Sequence, residues 1–214
     1  MTDPKRKYYE KRANVLIKNL HSRHFEACYC ADKAEALKKA LEWIPAGSSV
    51  GWGGAMSAQQ IGLLDTVRTG DYRALDRERA ATPEERKAIM KQCLGTDVFI
   101  TGANALSMDG QMVNIDGNGN RVSSTLYGHQ KVYFLVGVNK VAPDFEAALW
   151  RARNVAAPKR AQSMGCRTPC AAKADRCYDC KSPERICRGL AVLWARPNAT
   201  EEMEVVLIGE ALGM

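Results

Sequence analysis

Strand-like apolar runs alternate with helical patterns along most of the chain, and this alternation restricts the fold more than any other feature. The stretch SSVGWGGAMSAQQIGLL, residues 48–64, reads in order as a strand, a glycine turn and a helix. Other runs have the length and apolar composition of buried strands, namely HFEACYC, DVFITGAN, KVYFLVGV, LAVLWA and MEVVLIG. Strands that alternate with helices are typical of α/β proteins. We therefore predict an α/β fold with a mainly parallel sheet.

A cysteine-rich segment interrupts this alternation just before the last two strand-like runs. At 214 residues the chain is long enough to bury one good core, whereas a separate second core would be small. We therefore predict one α/β domain over residues 1–214, with residues 158–188 as a basic insertion that packs on it. Upstream of this insertion, Asp109-Gly110 separates ALSM from QMVNI, which is a strong signal for a two-residue hairpin turn.

The glycine turn in GWGGAMS is a candidate site for an anion. Gly53 and Gly54 lack Cβ atoms, so backbone amides there can approach an anion, and the start of the following helix adds partial positive charge. The hydroxyl of Ser57 either hydrogen-bonds a ligand or caps the helix. The spacing matches neither a Walker loop nor a GxGxxG fingerprint, so a simple tight turn is the alternative.

A second loop region, TGANALSMDGQMVNIDGNGNRVSSTLYG, spans residues 101–128 and is crowded with small polar residues. Such crowding after a buried strand is characteristic of loops at the carboxyl ends of parallel strands, where α/β proteins bind ligands. Two ordinary turns, at Asp109-Gly110 and Asp116-Gly117, are the structural alternative. Arg121 is the natural partner for a carboxylate or phosphate. The candidate ligand residues of this region and the next strand end are Gly102, Asn104, Asn114, Asp116, Gly117, Arg121 and Lys140.

The N-terminal sequence and the hydropathy of the chain indicate where the protein works. MTDPKRKYYEKR is too polar for a secretion signal, and no run of about 18 apolar residues occurs. We therefore expect a cytoplasmic protein without membrane insertion. In a reducing compartment, clustered cysteines more often indicate metal or redox chemistry than structural disulfides.

Five of the eight cysteines lie within residues 166–187, spaced as Cys-x3-Cys-x6-Cys-x2-Cys-x6-Cys. Cys177 and Cys180 are the firmest pair, because a C-x2-C turn brings two thiolates to one centre. A single such turn favours a [4Fe–4S] cluster over zinc, whose ribbon sites usually have two, and free or disulfide-forming thiols are the third interpretation. The predicted ligands are four of the five residues Cys166, Cys170, Cys177, Cys180 and Cys187.

The net charge of +7 originates in residues 151–188, which hold ten Lys and Arg against three acidic residues. Thiolates around a metal centre carry negative charge that nearby cations would offset. A basic patch for nucleic acid or an acidic protein is the alternative. Nucleic acid is the less favoured partner, because the segment lacks the interleaved aromatic residues of stacking surfaces.

Several motifs together resemble the LUD domain family, which includes lactate-utilisation proteins. They are GWGGAMS, the combination GANAL…DG…VNIDGNGNRV, then GVNKV, the cysteine tail ending in SPERIC, and the C-terminal VVLIGEALG. The family is similar to ribose-5-phosphate isomerase, glucosamine-phosphate deaminase and the CoA-transferases, which implies a three-layer α/β/α domain. The resemblance also implies a role in lactate or organic-acid utilisation, with a redox protein and a second copy of the chain as candidate partners.

Three functions remain open at this point. The first is a metabolic protein that binds a small anionic metabolite and a [4Fe–4S] cluster and takes part in electron transfer. The second is a zinc-stabilised basic module for nucleic acid or a protein partner. The third is a sugar-phosphate isomerase or transferase, but Asn104 stands where related isomerases have a catalytic aspartate. An amide cannot act as a general base, so Asp109 or Asp116 would have to take that role.

Overall fold

The apolar runs of the sequence become strands of two separate sheets in the computed structural model of the chain, which describes residues 4–214. In chain order the strands are β1 (Glu26–Cys30), β2 (Ser49–Trp52), β3 (Arg73–Leu75), β4 (Val98–Thr101), β5 (Ala105–Ser107), β6 (Met112–Asp116), β7 (Lys131–Gly137), β8 (Val141–Ala142), β9 (Gly189–Leu193) and β10 (Glu202–Ile208). The central sheet has the spatial order β1-β10-β7-β4-β2-β3, and every neighbouring pair is parallel. The predicted α/β fold with a mainly parallel sheet is therefore confirmed.

Helices connect the strands, and three of them begin at a side-chain cap. In chain order they are α1 (Pro4–His21), α2 (Lys33–Trp43), α3 (Met56–Gln60), α4 (Leu63–Thr69), α5 (Pro83–Gln92), α6 (Asn120–Leu126), α7 (Phe145–Arg151), α8 (Ala157–Ser163) and α9 (Pro169–Lys173). The side chains of Asp32, Thr82 and Asp144 accept hydrogen bonds from the first turns of α2, α5 and α7. A π-helical turn over Ala152–Ala156 joins α7 to α8, so that residues 145–163 form one continuous helical segment.

The two faces of the central sheet are covered differently. Helices α2, α3 and α4 cover one face, where Trp52, Leu63 and Val67 are fully or almost fully buried. On the other face, Leu16 and Leu20 of α1 pack beside Met112 of the second sheet. The expected layer of helices on this face is thus shared between a helix and a second sheet. The large apolar side chains of the central sheet form the core on both of its faces.

The second sheet has the spatial order β8-β5-β6-β9. Strands β5 and β6 form the predicted hairpin, but the backbone N–H of Ser107 donates to the carbonyl of Gln111, so the turn has three residues, Met108 to Gly110, and not the predicted two. Gly110 lies in the left-handed region at a φ of 86°. Strand β9, which contains part of the predicted LAVLWA run, pairs antiparallel with β6, and Asp116 lies opposite Gly189. The chain segment just before β9 is therefore held beside the end of β6.

Two elements differ from the sequence-based expectation. The loop region after β6 contains α6, although Ser, Thr and Val are weak helix formers. The short edge strand β3 has only three residues, too few for an apolar pattern to reveal it. Among the described residues, no helix combines the length and the apolar composition needed to cross a bilayer.

Candidate functional site

A cavity of about 340 Å³ opens at the carboxyl ends of the parallel strands β2, β4 and β7. Gly54, Gly102 and Lys140 follow these three strands and line it. The end of β6 and the segment 183–188 form another part of its wall. Carboxyl ends of parallel strands are where open α/β sheets bind ligands, and the volume falls in the range of small-molecule sites.

The cavity wall is strongly cationic. Its acidic residues are Asp116 and Glu184, and Glu184 already forms an ion pair with Arg167 at 2.6 Å. Across residues 4–214, Arg185 alone among the lining cations takes part in an ion pair, with Asp179 at 3.4 Å. The cationic residues of the wall are Arg77, Arg86, Arg121, Lys140, Arg160, Arg185 and Arg188. Such an excess of uncompensated positive charge in a concave site attracts anions.

Arg121 organises the inner wall of the cavity. Its side chain is buried, and both terminal nitrogens donate to neutral oxygens only. Nη1 donates to the carbonyl of Gly102 at 3.0 Å and to Oδ1 of Asn114 at 2.6 Å. Nη2 donates to Oδ1 of Asn104 at 2.8 Å and to the carbonyl of Ile115 at 2.6 Å. All four terminal N–H bonds are therefore used by the protein, so Arg121 acts on a ligand through its charge rather than as a free hydrogen-bond donor.

Two glycines allow the segments that form this wall to approach each other closely. A Cβ on Gly53 would lie 2.7 Å from Cγ of Arg121, so the guanidinium network requires a glycine there. A Cβ on Gly117 would lie 2.8 Å from the carbonyl oxygen of Ile186, so the cysteine-rich segment can approach the end of β6 only because that residue is glycine. Arg188 completes the attachment by donating its N–H to the carbonyl of Asp116 at 2.9 Å.

Asp116 holds the start of α6 in place. Its Oδ2 accepts the backbone N–H of Arg121 at 2.9 Å and that of Val122 at 3.1 Å. The favourable position of an anion at a helix start explains both contacts. This carboxylate is therefore engaged in positioning Arg121, although it also lines the cavity.

Lys140 lies in a short 3₁₀ turn after β7, and only 5% of it is exposed. Its Nζ donates to Oγ of Ser57 at 3.1 Å. Burial, together with the positive charges of Arg151 and Arg121, lowers the pKa of Lys140 to about 7. Arg151 is fixed by backbone carbonyls, since Nε donates to Asn139 at 3.0 Å.

Four of the five clustered cysteines line a second, smaller cavity next to the first. They are Cys170, Cys177, Cys180 and Cys187. Cys166, the fifth, is not part of this lining. Among residues 4–214 no three His, Cys, Asp or Glu side chains are arranged to hold a single metal ion. The four thiols therefore line one cavity, and the described residues contain no ready site for a single metal ion.

Polar groups contact several of these sulfur atoms. The backbone N–H of Asp179 donates to Sγ of Cys177 at 3.4 Å, and the hydroxyl of Thr168 lies 3.3 Å from Sγ of Cys170. Nη2 of Arg185 lies 3.5 Å from Sγ of Cys187. Donors of this kind stabilise thiolates and tune the metal centres that thiolates hold.

The two cavities share a wall. Ala157, Arg185 and Ile186 line both of them. Arg185 is anchored on the cysteine side, where Nη1 donates to the carbonyl of Cys180 at 2.6 Å, and its Nε is buried with no protein acceptor. A ligand in the cationic cavity would thus lie directly beside the loop that carries the four thiols.

The structure brings together most of the candidate residues from the sequence. Of the ligand-binding candidates, Gly54, Gly102, Asn104, Asp116, Gly117, Arg121 and Lys140 line the cavity. Gly53, Ser57 and Asn114 stand directly behind it, in contact with Arg121 or Lys140. Asp109 does not line it. Its carbonyl accepts a hydrogen bond from Arg23, which follows α1.

Most guanidinium groups of the site are not among the residues predicted from the sequence. Arg77 and Arg86 come from the 3₁₀ turn Arg77–Arg79 and from α5, where no local pattern marks them. Arg160, Arg185 and Arg188 belong to the basic segment 151–188. The clustering of positive charge in that segment was a signal for an anion site, because three of its ten cations line the cavity.

Comparison with known proteins supports this picture of the fold. The model of the LUD domain matches residues 13–208. A DUF162 family protein from Deinococcus radiodurans is similar in structure, with a TM-score of 0.53 and 10% identity, covering 93% of this chain and 97% of that one. Ribose 5 phosphate isomerase A from Neisseria gonorrhoeae is more distant, with a TM-score of 0.33 and 17% identity over 52% of this chain and 53% of that one. No curated protein matches the sequence significantly.

Proposed function

Because the chain belongs to the LUD domain family, we propose that it binds a small, multiply charged anionic metabolite beside a [4Fe–4S] cluster and exchanges electrons with that metabolite. The metabolite class is an organic acid or a phosphorylated compound. The cluster ligands are Cys170, Cys177, Cys180 and Cys187. A role in lactate or organic-acid utilisation, with a separate redox protein as electron carrier, belongs to this proposal.

The observation that carries the proposal is the uncompensated positive charge of the cavity. Arg121 and Lys140 are 8% and 5% exposed, and neither forms an ion pair in the described chain. Burying unpaired charges costs several kcal/mol, so such groups persist where a ligand of opposite charge compensates them. Arg77 adds a buried Nε with no protein acceptor to the same wall.

The thiol arrangement fits a cluster better than a single zinc ion. Zinc-ribbon sites usually have two C-x2-C turns, whereas this segment has one, at Cys177 and Cys180. The cysteines of a [4Fe–4S] cluster each bind a different iron and accept more varied spacing, and Cys170, Cys177, Cys180 and Cys187 line one cavity. A bound cluster supplies one-electron transfer, while Arg185 and the backbone N–H of Asp179 stabilise its thiolates.

The other two functions receive less support from the geometry. A nucleic-acid or protein module needs its positive charge on an exposed, extended surface, whereas here seven cationic residues line a concave cavity. An isomerase needs a free carboxylate base, yet Asp116 is occupied by two backbone N–H groups and Asp109 lies away from the cavity.

The test uses protein purified and reconstituted without oxygen. We expect a brown protein with about four iron and four sulfide per chain. Calorimetry should detect binding of citrate and pyrophosphate but not of uncharged glycerol. Arg77→Gln should weaken citrate binding about tenfold, which corresponds to ~1.4 kcal/mol.

Arg79→Gln is the matched control, because Arg79 lies in the same 3₁₀ turn as Arg77 but does not line the cavity. It should bind citrate as the unaltered protein does. Absence of citrate and pyrophosphate binding would contradict the anion site. Colourless protein after anaerobic reconstitution would contradict the cluster.

A further inference from the structure

The cavity contains one amine among its cationic side chains. Of the seven cationic residues in its wall, six are arginines and the seventh is Lys140. Guanidinium groups stay charged in proteins and do not add to carbonyl compounds, whereas an amine does so once it has lost its proton. Lys140 is also the most enclosed of the seven, with 5% of its surface exposed.

The surroundings of Lys140 favour the neutral amine. Its hydrogen bond goes to the hydroxyl of Ser57, which accepts or donates with equal ease. The charged groups that face it are the guanidinium groups of Arg151 and Arg121. No ion pair to Lys140 exists within residues 4–214, so no carboxylate there offsets its charge.

Both neighbouring guanidinium groups are fixed in place. Arg121 is held by four oxygen acceptors, and Arg151 by the carbonyls of Asn104, Asn139 and Met214. They cannot swing away when Lys140 gains a proton, so protonation of this amine remains unfavourable. A lysine beside another cation in a desolvated site is the arrangement that activates an amine as a nucleophile.

We infer that Lys140 is a nucleophilic amine that forms an imine with an aldehyde or ketone group of the anionic ligand. The inference rests on the proposed anion binding in this cavity and adds the reactive group of the ligand. Nζ attacks the carbonyl carbon, a C–N bond forms, and the C–O bond then breaks. The carbonyl oxygen leaves as water together with both amine hydrogens, so no oxidant or reductant is needed. Ser57 lies close enough to pass a proton between these atoms.

The ligand is therefore a carbonyl compound with more than one negative charge, such as a dicarboxylic 2-oxo acid. The guanidinium groups of the wall suit its carboxylates through their positive charge. The amine of Lys140 remains available for the carbonyl. This division of roles explains why the one lysine of the wall is also its most buried cation.

The experiment traps the imine on the anaerobically prepared holoprotein. The protein is incubated with 2-oxoglutarate and sodium cyanoborohydride at neutral pH, and the modified lysines are located by peptide mass spectrometry. We expect modification of Lys140 at least about tenfold above that of Lys159, which is exposed on α8. Glutarate, which has the same two carboxylates and no ketone, should block the reaction.

Two variants separate nucleophilic chemistry from charge. Lys140→Arg retains the positive charge, so it should still bind glutarate but form no adduct at position 140. Lys159→Arg should trap as the unaltered protein does. Adduct formation should rise with pH through about pH 7, because only the neutral amine reacts.

The outcomes also distinguish this inference from the proposed function. If glutarate binds and no adduct forms at Lys140, or if adducts spread evenly over exposed lysines such as Lys159, the amine has no such role and anion binding still stands. If neither glutarate nor citrate binds, both proposals are wrong. A Lys140 adduct that glutarate blocks supports both.

Discussion

A Cβ atom on Gly53 would lie only 2.7 Å from Cγ of Arg121, which is closer than any ordinary carbon contact. The four hydrogen bonds of Arg121 prevent the side chain from yielding. We therefore expect Gly53→Ala to destabilise the fold by about 1–3 kcal/mol, as overpacking does. It should also weaken citrate binding, because Arg121 must move. Denaturant titration and calorimetry measure the two effects.

Gly54→Ala is the control for this prediction. A Cβ there would meet no atom within 4 Å, and the residue does not have a positive φ. We expect a change in stability below about 0.5 kcal/mol. Equal losses in both variants would mean that backbone freedom, rather than contact with Arg121, determines the effect.

The second prediction concerns the fifth clustered cysteine. Cys166 lies outside the thiol-lined cavity, whereas Cys170 lines it. Cys166→Ser should therefore retain the iron and sulfide content of the unaltered protein after anaerobic reconstitution. Cys170→Ser should lose most of its iron or hold it in a form that EPR distinguishes. A complete loss of iron in Cys166→Ser alone would assign the ligands differently.

The third prediction is that Lys140→Met stabilises the protein while it weakens ligand binding. Methionine fills similar space and removes a buried amine without an ion pair, so we expect a gain of ~1–2 kcal/mol near pH 7. Citrate affinity should fall at pH 6, where Lys140 carries its charge, since one cation of the wall is then lost. Lys131→Met is the control, because Lys131 forms a 2.6 Å ion pair with Glu202 and should bring no such gain.

The pH dependence of stability provides an independent check on Lys140. The pKa of Lys140 is lowered to about 7 in the folded protein, so above that pH the unfolded chain binds more protons than the folded one. The free energy of unfolding of the unaltered protein should therefore contain a term from Lys140 that increases as the pH rises from 7 toward 10. In Lys140→Met this contribution should be absent, and an unchanged slope would contradict the assignment.

The fourth prediction concerns Glu204, a buried carboxyl in the middle of β10. Burial, together with the negative charge of Glu202, raises the pKa of Glu204 to about 7. The folded state therefore holds a proton that the unfolded chain releases above its ordinary pKa of 4.5. This contribution to stability is fully present below pH 4.5 and is lost as the pH rises through 7.

Replacement of Glu204 by glutamine should remove this loss of stability with rising pH. We expect Glu204→Gln to be more stable than the unaltered protein at pH 8 by ~1–2 kcal/mol and little different at pH 4. Glu202→Gln is the comparison, because Glu202 is more exposed and paired with Lys131. Parallel pH profiles for Glu204→Gln and the unaltered protein would show that another group carries the dependence.

Local patterns in the sequence predicted the strands, the hairpin and the loops of the cavity. KVYFLVGV has the near-continuous apolar composition of a strand buried on both faces, and Asp109-Gly110 marks the hairpin, although its turn has three residues rather than two. Helix α6 was missed because its residues are weak helix formers, and its place depends on the burial of Arg121 against Asn104 and Asn114.

The cationic character of the cavity depends on contacts between distant parts of the chain. Arg77 and Arg188 are far apart in the sequence, and both line the cavity in a fold where β9 pairs with β6. No spacing rule links such residues. The spacing of the cysteines likewise does not show which of them share a cavity, because the position of Cys166 outside the lining depends on the path of the folded loop.

The wall formed by Ala157, Arg185 and Ile186 has a consequence for damaged molecules. Oxidation of the thiols would reshape the loop that carries Arg185, and the same movement would deform the anion cavity. Citrate affinity should therefore fall in protein whose thiols have been oxidised, although none of the five clustered cysteines lines the cationic cavity itself.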